Sequence, residues 1–264
     1  MTMPNLLVSQ TPRYASFYST LVRHLDGLRF DVSYRKRRLQ EALVELRGEI
    51  DGLRVLDFGF GSGSLLLGFP ESCRLCGVDV SDSAVQRADT DERFAVYAEA
   101  RFLAVPEDRP ELLPDAEFDV IVTSHALEHV SDDERVLSEL FRRLAPGGTL
   151  VVFVPIEEPD YILFHRRNYS LQSIAERITK AGFELRQVEG SMYVNGHVWK
   201  LLTIPSRRRW PVFGPAVDAL RMLSLGALPY ALLRRLDRAL FLLGVGARQA
   251  LVVAERPSAG AAPG

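Results

Sequence analysis

Two short stretches of this 264-residue chain hold residue types that could carry chemistry. In the first, Asp57 precedes Gly59, Gly61 and Gly63 in a turn that follows an apolar run. Glycine permits tight turns and close ligand approach, and the free amides at the start of a following helix favour a negative group. Asp79 ends the next apolar run and could accept hydrogen bonds from two vicinal ribose hydroxyls. The pattern predicts a nucleoside site.

The glycine spacing separates two kinds of nucleoside ligand. A dinucleotide fingerprint requires Gly-x-Gly-x-x-Gly, whereas here Gly63 comes one position early and Ser64 occupies the sixth position. Asp57 would repel a pyrophosphate, but it could help to hold a cationic amino acid portion. The spacing therefore favours a sulfonium nucleoside, and a nicotinamide-dependent oxidoreductase is the alternative.

The second stretch is His125-Ala126-Leu127-Glu128-His129, which matches the inverted zinc-protease pattern His-x-x-Glu-His. That pattern needs a helix to place both histidines on one face, whereas this one follows an apolar strand and has no evident third ligand. We therefore predict no metal. A neutral His125 suits general-base chemistry near pH 7, or it contacts substrate. The alternative is that His125 caps a helix or lies in a loop. Glu128 and His129 would then form local hydrogen bonds or contact the substrate.

Strand-like and helix-like patterns alternate from about residue 51 to residue 190, which predicts an α/β, doubly wound sheet. Continuous apolar runs or short apolar segments predict strands at 55–58, 75–80, 102–105, 118–123, 149–155, 183–188 and 249–255. Helical spacing of apolar residues predicts helices at 34–46, 81–88, 132–144 and 171–181.

In several of these stretches the sequence resembles the class I S-adenosylmethionine-dependent methyltransferases. The resemblance covers about residues 53–190 and is greatest to the small-molecule branch that includes the ubiquinone-type enzymes. The stretches that carry it are 55–63, 75–81, 118–130, 144–150, 165–170 and 181–183.

The resemblance implies a Rossmann-like sheet of about seven strands, mostly parallel with the last reversed, and S-adenosyl-L-methionine as cofactor. It also implies roles at one shared site. Gly59, Phe60, Gly61 and Gly63 would surround the methionine part, Asp57 its amino group, Asp79 the ribose, Val80 and Glu107 the adenine, and Ser124 or His125 the methyl donor. The implied reaction is in-line methyl transfer, with O-methylation of a sugar or secondary metabolite favoured and His125 as base.

His165, Arg167 and Tyr169 follow the fifth predicted strand, at the edge where such sheets bind ligands. With Glu128 and His129 they are candidates for the substrate pocket. The alternative is a structured loop in which Tyr169 is packed and Arg167 is solvated.

Residues 200–248 carry nine Lys or Arg and two Asp, a net charge of +7 in a chain of net charge −2. This basic helical insertion is either an ordinary solvated face or a lid. A lid would recruit an anionic, lipid-linked or nucleotide-linked acceptor or touch a membrane. We expect four segments: an N-terminal helical segment (1–50), the cofactor-binding core (51–190), the insertion (191–248) and a closing strand with a tail (249–264).

The overall composition excludes several classes of protein. A net charge of −2 excludes a globally basic nucleic-acid binder, and Cys73 and Cys76 cannot form a disulfide framework. No secretion signal or run of 18 apolar residues is visible. We expect a cytoplasmic enzyme, and a non-catalytic protein of the same fold that serves a partner is the second alternative.

Overall fold

The computed structural model describes residues 30–156, 165–198, 201 and 213–258. Within them the chain forms one seven-stranded sheet with helices on both faces. The strands are β1 (Arg54–Phe58), β2 (Arg74–Asp79), β3 (Glu99–Ala104), β4 (Phe118–Ser124), β5 (Leu144–Pro155), β6 (Glu184–Ser191) and β7 (Gln249–Glu255). The helices are α1 (Phe30–Arg47), α2 (Asp82–Asp89), α3 (Asp133–Arg143), α4 (Leu171–Lys180), α5 (Tyr193–Val198), α6 (Gly214–Gly226) and α7 (Tyr230–Leu242).

The strand order is β3-β2-β1-β4-β5-β7-β6. All neighbours pair in parallel except β7, which runs antiparallel to both β5 and β6. This confirms the predicted fold, including the reversed last strand. The order changes direction between β1 and β4, and the carboxyl ends of strands at such a switch point are where open α/β sheets have their ligand crevice.

The central strands are apolar throughout because both faces of the sheet are covered. On one face, Ile121 of β4 packs in a core with Leu137 of α3 and Ile174 of α4. On the other, Val120 packs in a core with Leu39 of α1 and Ala84 of α2. The two cores hold the carboxyl ends of β1, β2 and β4 in register at one edge.

Several predicted boundaries shift by a few residues. The first helix starts at Phe30 rather than at 34, and the third strand is Glu99–Ala104 rather than 102–105 because it pairs with the whole of β2. The fifth strand begins at Leu144, which pairs with Phe118 ahead of the Pro-Gly-Gly turn. Ser81 caps α2 as predicted, since its hydroxyl accepts from the Ala84 amide over 3.3 Å.

The predicted basic insertion forms α5, α6 and α7 between β6 and β7. Residues 1–29, and Arg207, Arg208 and Arg209 of the insertion, lie outside the described residues. The predicted division into four segments stays a prediction. Among the described helices, none is both long and apolar enough to cross a bilayer.

Helix α1 is attached to the insertion through a buried polar contact. The Tyr34 hydroxyl donates to one carboxylate oxygen of Asp237 over 2.5 Å, and the Val194 amide donates to the other over 3.0 Å. Phe30 and Leu233 complete a small apolar cluster around this contact. Because Asp237 is buried, the loss of the Tyr34 donor would leave one of its oxygens less well satisfied.

Tyr34→Phe is therefore expected to lower the free energy of unfolding by about 1–3 kcal/mol, the cost of leaving a buried acceptor unsatisfied. Urea denaturation followed by circular dichroism measures this change. Tyr97→Phe is the matched control, because the Tyr97 hydroxyl donates only to uncharged carbonyl groups, over 3.2 and 3.4 Å. Equal losses in the two variants would contradict the special role of the Tyr34–Asp237 contact.

Candidate functional site

The loop after β1 adopts a conformation that its glycines permit. Gly59, Gly61 and Gly63 have φ angles of 76°, 57° and 73°, in the left-handed region. A Cβ atom on Gly59 would lie 2.4 Å from the Cβ of Ala126 in the loop after β4. The Gly59 amide donates to the Val78 carbonyl of β2 over 2.8 Å. Glycine at this position thus allows the loops after β1 and β4 to touch.

Phe60 contributes its backbone to this loop, while its ring belongs to the core. The ring is buried, and its centroid lies 5.2 Å from that of Phe102 on β3. The side chain of Phe60 is therefore packed between β2 and β3.

Asp79, at the end of β2, connects the two predicted cofactor loops. One carboxylate oxygen accepts from the Gly61 amide over 3.0 Å, and the other accepts from the Ser81 amide over 2.9 Å. Burial raises the pKa of Asp79, while these amides oppose the rise. Each oxygen keeps a second lone pair that can accept a further hydrogen bond. The next residue, Val80, is partly exposed.

Asp57 lies beneath the same loop and is almost fully buried. Among the residues that the structure describes, no donor lies within hydrogen-bond distance of its Oδ1 atom. Burial, together with the negative charge of Asp79, raises the pKa of Asp57 to about 8, against the opposing effect of Arg35. A buried carboxylate with an unsatisfied oxygen is suited to a cationic N–H donor.

His125 follows β4 with a φ of 56°, which is rare for a residue with a side chain and marks a constrained position. Its amide donates to the Phe153 carbonyl over 2.9 Å. Its Nε2 lies 2.9 Å from Oε1 of Gln249 on β7, while the Gln249 amide nitrogen donates to Ser191 Oγ over 3.0 Å. With its proton on Nε2, the ring donates to Gln249 and carries its lone pair on Nδ1.

The surroundings of His125 keep its ring neutral. The side chain is 37% exposed, and Nδ1 lies 3.5 Å from Oε1 of Glu128. Loss of hydration around the ring, assisted by the charge of Arg35, holds the pKa of His125 well below its usual value of 6.5. The ring is therefore neutral at pH 7, and it is a weak base unless the neighbouring Glu128 carboxylate stabilises the imidazolium.

Sequence reasoning missed two neighbours of this site, Arg35 and Gln249. The Arg35 guanidinium, from α1, donates to Ser124 Oγ over 2.8 Å and to Asp31 over 3.0 Å. Gln249 comes from the first position of β7. Both lie far along the chain from the residues they contact, and Arg35 belongs to a run of basic residues typical of an exposed helix face. No local signal distinguishes them.

The structure brings Glu128, His129 and His165 together. One ligand atom from each can be chosen so that all three lie within 4.8 Å of one another. The rings of His129 and His165 meet edge to face, with centroids 4.9 Å apart. The prediction of no metal was based on a missing third ligand, and His165, from the loop after β5, is a residue that could fill that place.

The remaining predicted residues brace the loops around the site. The buried Tyr169 hydroxyl donates to Asp133 Oδ2 over 2.7 Å, and Arg167 forms an ion pair with the same carboxylate. Tyr169 is therefore packed, as expected for a structured loop. Arg167, in contrast, is paired with Asp133 and not simply solvated. Glu107 follows β3 and pairs with Arg166 over 2.9 Å.

Comparison with known proteins agrees with this geometry. A family model described as a methyltransferase domain matches residues 32–188. A Mycolicibacterium smegmatis protein, named as a probable S-adenosylmethionine-dependent methyltransferase, is 29% identical over 66% of this chain and 68% of its own length. The 27-O-demethylrifamycin SV methyltransferase of Amycolatopsis mediterranei is 28% identical over 54% of each chain. Other relatives are named as a thiol S-methyltransferase and a sterol 4-C-methyltransferase.

The chain thus spans between about half and two thirds of the length of these curated relatives. Among solved structures, phosphoethanolamine N-methyltransferase 2 of Haemonchus contortus, in complex with S-adenosyl-L-methionine, superposes with a TM-score of 0.52. The match is 19% identical and covers 84% of this chain and 53% of that one. At this identity the likeness concerns the fold.

The pKa of Asp57 predicts a pH dependence of stability in the cofactor-free protein. Its pKa rises from 3.8 to about 8 on folding, so the folded state binds this proton more tightly and loses stability as pH rises through that window. The free energy of unfolding, measured in urea at pH 5 and at pH 8, should fall more between these two values for the wild type than for Asp57→Asn.

Asp119→Asn provides the control for this measurement. The pKa of Asp119 lies below its usual value because of Arg54, so it is ionised in both states from pH 5 to pH 8. The free energy of unfolding of Asp119→Asn should therefore change between pH 5 and pH 8 by the same amount as that of the wild type. A wild-type slope equal to that of Asp57→Asn would contradict the raised pKa.

Proposed function

The chain belongs to the family of S-adenosylmethionine-dependent methyltransferases, and from this premise we propose that it methylates a hydroxyl group of a small molecule. The unsatisfied Oδ1 atom of Asp57 beside the glycine loop carries the cofactor part of the proposal, and the neutral ring of His125 carries the choice of a hydroxyl acceptor. When bound, S-adenosyl-L-methionine supplies a methyl group on a positively charged sulfur. The family assignment replaces the nicotinamide-dependent alternative.

The residues present fit this cofactor. Asp57 Oδ1 would accept from the ammonium of the methionine part, and the cofactor's positive charge would favour the ionised form of Asp57. Gly59, Gly61 and Gly63 would border that part with backbone alone. Asp79 would use its remaining lone pairs for the two ribose hydroxyls.

The adenine contacts in this proposal come from the residues that follow β2 and β3. Val80, partly exposed after Asp79, would flank the ring. Glu107 would approach its amine only by sharing a carboxylate that already pairs with Arg166. Ser124, which accepts from Arg35, would lie towards the methyl donor.

We assign the proton transfer to His125. The nucleophile, methyl carbon and sulfur must lie in line, so positioning supplies much of the rate, and a base must take the proton of a hydroxyl acceptor. The lone pair on Nδ1 of His125 is available for this, and Glu128 lies 3.5 Å away to stabilise the imidazolium. Gln249 holds the ring in the required tautomer.

The substrate pocket in this proposal lies beside His125. Glu128, His129 and His165 would border it, whereas Arg167 and Tyr169 would act by bracing its loop. The positive charge of Arg35 near His125 favours an acceptor that carries negative charge, such as a lipid-linked or nucleotide-linked sugar. Oxygen is preferred over sulfur as the methylated atom because a hydroxyl is less acidic than a thiol and depends more on a positioned base.

Asp79→Ala is expected to weaken binding of S-adenosylhomocysteine by about 1–3 kcal/mol, because charge-assisted hydrogen bonds to the ribose are lost. Isothermal titration calorimetry measures this change, with NADH as the ligand control. Asp82→Ala, at an exposed position three residues further on, is the matched control and should bind normally. Unaltered affinity in Asp79→Ala would remove Asp79 from the ribose role.

His125→Ala is expected to lower turnover by at least about 100-fold while S-adenosylhomocysteine affinity stays within twofold, since general-base catalysis typically contributes 10²–10⁴. The assay measures S-adenosylhomocysteine release with a panel of hydroxyl, thiol and carbon acceptors. Val96→Ala, at an exposed site remote from the crevice, is the control.

Four outcomes would overturn parts of this scheme. Turnover of thiols alone would exclude O-methylation, and full activity of His125→Ala would end its role as base. Loss of activity in EDTA, restored by a divalent cation in the wild type but not in His165→Ala, would assign hydroxyl activation to a metal on Glu128, His129 and His165. Cofactor binding without turnover of any acceptor would favour the non-catalytic alternative.

A further inference from the structure

Helix α7 is apolar on its outward side as well as on its inward side, unlike most helices at a protein–water boundary. Its inward side carries the charged Asp237, buried against Tyr34, together with Leu233. Its outward side carries exposed apolar residues at helical spacing. These are Leu232, Leu236, Ala239 and Leu243, and Phe241 and Leu242 beside them are also exposed.

Helix α6 repeats this arrangement. Arg221 lies on its inward side, where it is buried and donates to Asn195. Leu220 and Leu223 lie outward and are 65% and 54% exposed. Two successive helices therefore keep a charge inside and present leucine outside, so the pattern is not the accident of one side chain.

The charge at the outward side of α7 has one sign. Arg235 and Arg238 are exposed among the apolar residues, whereas the single acid of the helix, Asp237, is buried. Arg234 forms ion pairs with Glu189 and Glu41, over 3.6 and 4.0 Å, and its charge is therefore balanced within the protein. The surface formed by Leu232, Arg235, Leu236, Arg238, Leu242 and Leu243, the α7 surface, is apolar and cationic.

A second copy of the chain fits this surface poorly. Arg235 and Arg238 lie near the middle of the helix, so two-fold pairing along α7 would bring the arginines of the two copies close together. An anionic lipid surface meets both properties, because phosphate groups pair with arginine and the acyl boundary accepts leucine. The 13 residues of α7 rise about 20 Å, which suits a helix lying in the interface.

We propose that α7 docks this protein onto anionic membrane surfaces, with its outward leucines in the acyl boundary and Arg235 and Arg238 at the lipid phosphates. The inward side of α7 is held by independent contacts, since Tyr230 donates to Glu41 over 2.7 Å and Asp237 accepts from Tyr34. The helix can therefore enter the interface without leaving the fold. The inference does not depend on the proposed chemistry.

The test is flotation of the full-length protein with vesicles of phosphatidylcholine alone or with 30% phosphatidylglycerol. We expect at least tenfold more wild-type protein on the anionic vesicles, with the preference reduced in 0.5 M NaCl. Leu232→Ser with Leu236→Ser should lower anionic binding about tenfold or more. Arg235→Glu with Arg238→Glu should abolish the preference for anionic lipid.

Matched controls substitute exposed residues elsewhere. Val96→Ser and Arg74→Glu should float like the wild type. All variants should keep the wild-type thermal unfolding and S-adenosylhomocysteine affinity, so failure of docking is distinguished from failure of the site.

Two results would overturn the proposal. One is equal flotation of wild type and both α7 variants, or flotation of none of them. The other is a wild-type dimer by light scattering that dissociates on Leu232→Ser with Leu236→Ser, without vesicle binding, which would assign the α7 surface to a second copy.

Discussion

The close contact between the loops after β1 and β4 is the constraint on which the rest of the site depends. The two loops meet where Gly59 lies against Ala126, with no room for a side chain at Gly59. Asp79, at the end of β2, is connected to these loops because its carboxylate accepts a hydrogen bond from the Gly61 amide. Because these strands are parallel and adjacent, the contact brings Asp57, Asp79 and His125 to one edge of the sheet. The crevice is therefore a product of backbone packing before any ligand is considered.

The electrostatics of the crevice follow from that packing. Two buried carboxyl groups share a small space, so Asp57 holds its proton more tightly than an exposed acid. Arg35 opposes this effect and also helps to keep His125 neutral. A positively charged ligand would relieve the repulsion between the acids, whereas a second anion near Asp57 would increase it. The same few charges thus favour a sulfonium nucleoside and leave a neutral imidazole beside it.

The helices that follow β6 connect the site to a different surface. Helix α7 is held to α1 by Tyr34 and Asp237, and α1 supplies Arg35 to the crevice one residue further along. The outward side of α7 is apolar and cationic, so one helix pair shapes both the boundary of the site and the proposed contact with lipid.

The order of strands and helices, and the glycine loop with Asp57 and Asp79, could be predicted from the sequence alone. These follow from local patterns, since apolar runs, glycines and strand ends are read from neighbouring residues. The reversed last strand was predicted from the family resemblance. Only the tertiary structure placed Arg35 and Gln249 beside the site, because each comes from an element distant in the chain, and it grouped the predicted His165 with Glu128 and His129. It also packed Tyr169 away from the crevice. Contacts across the fold depend on which elements pack together, and no short window of sequence encodes that choice.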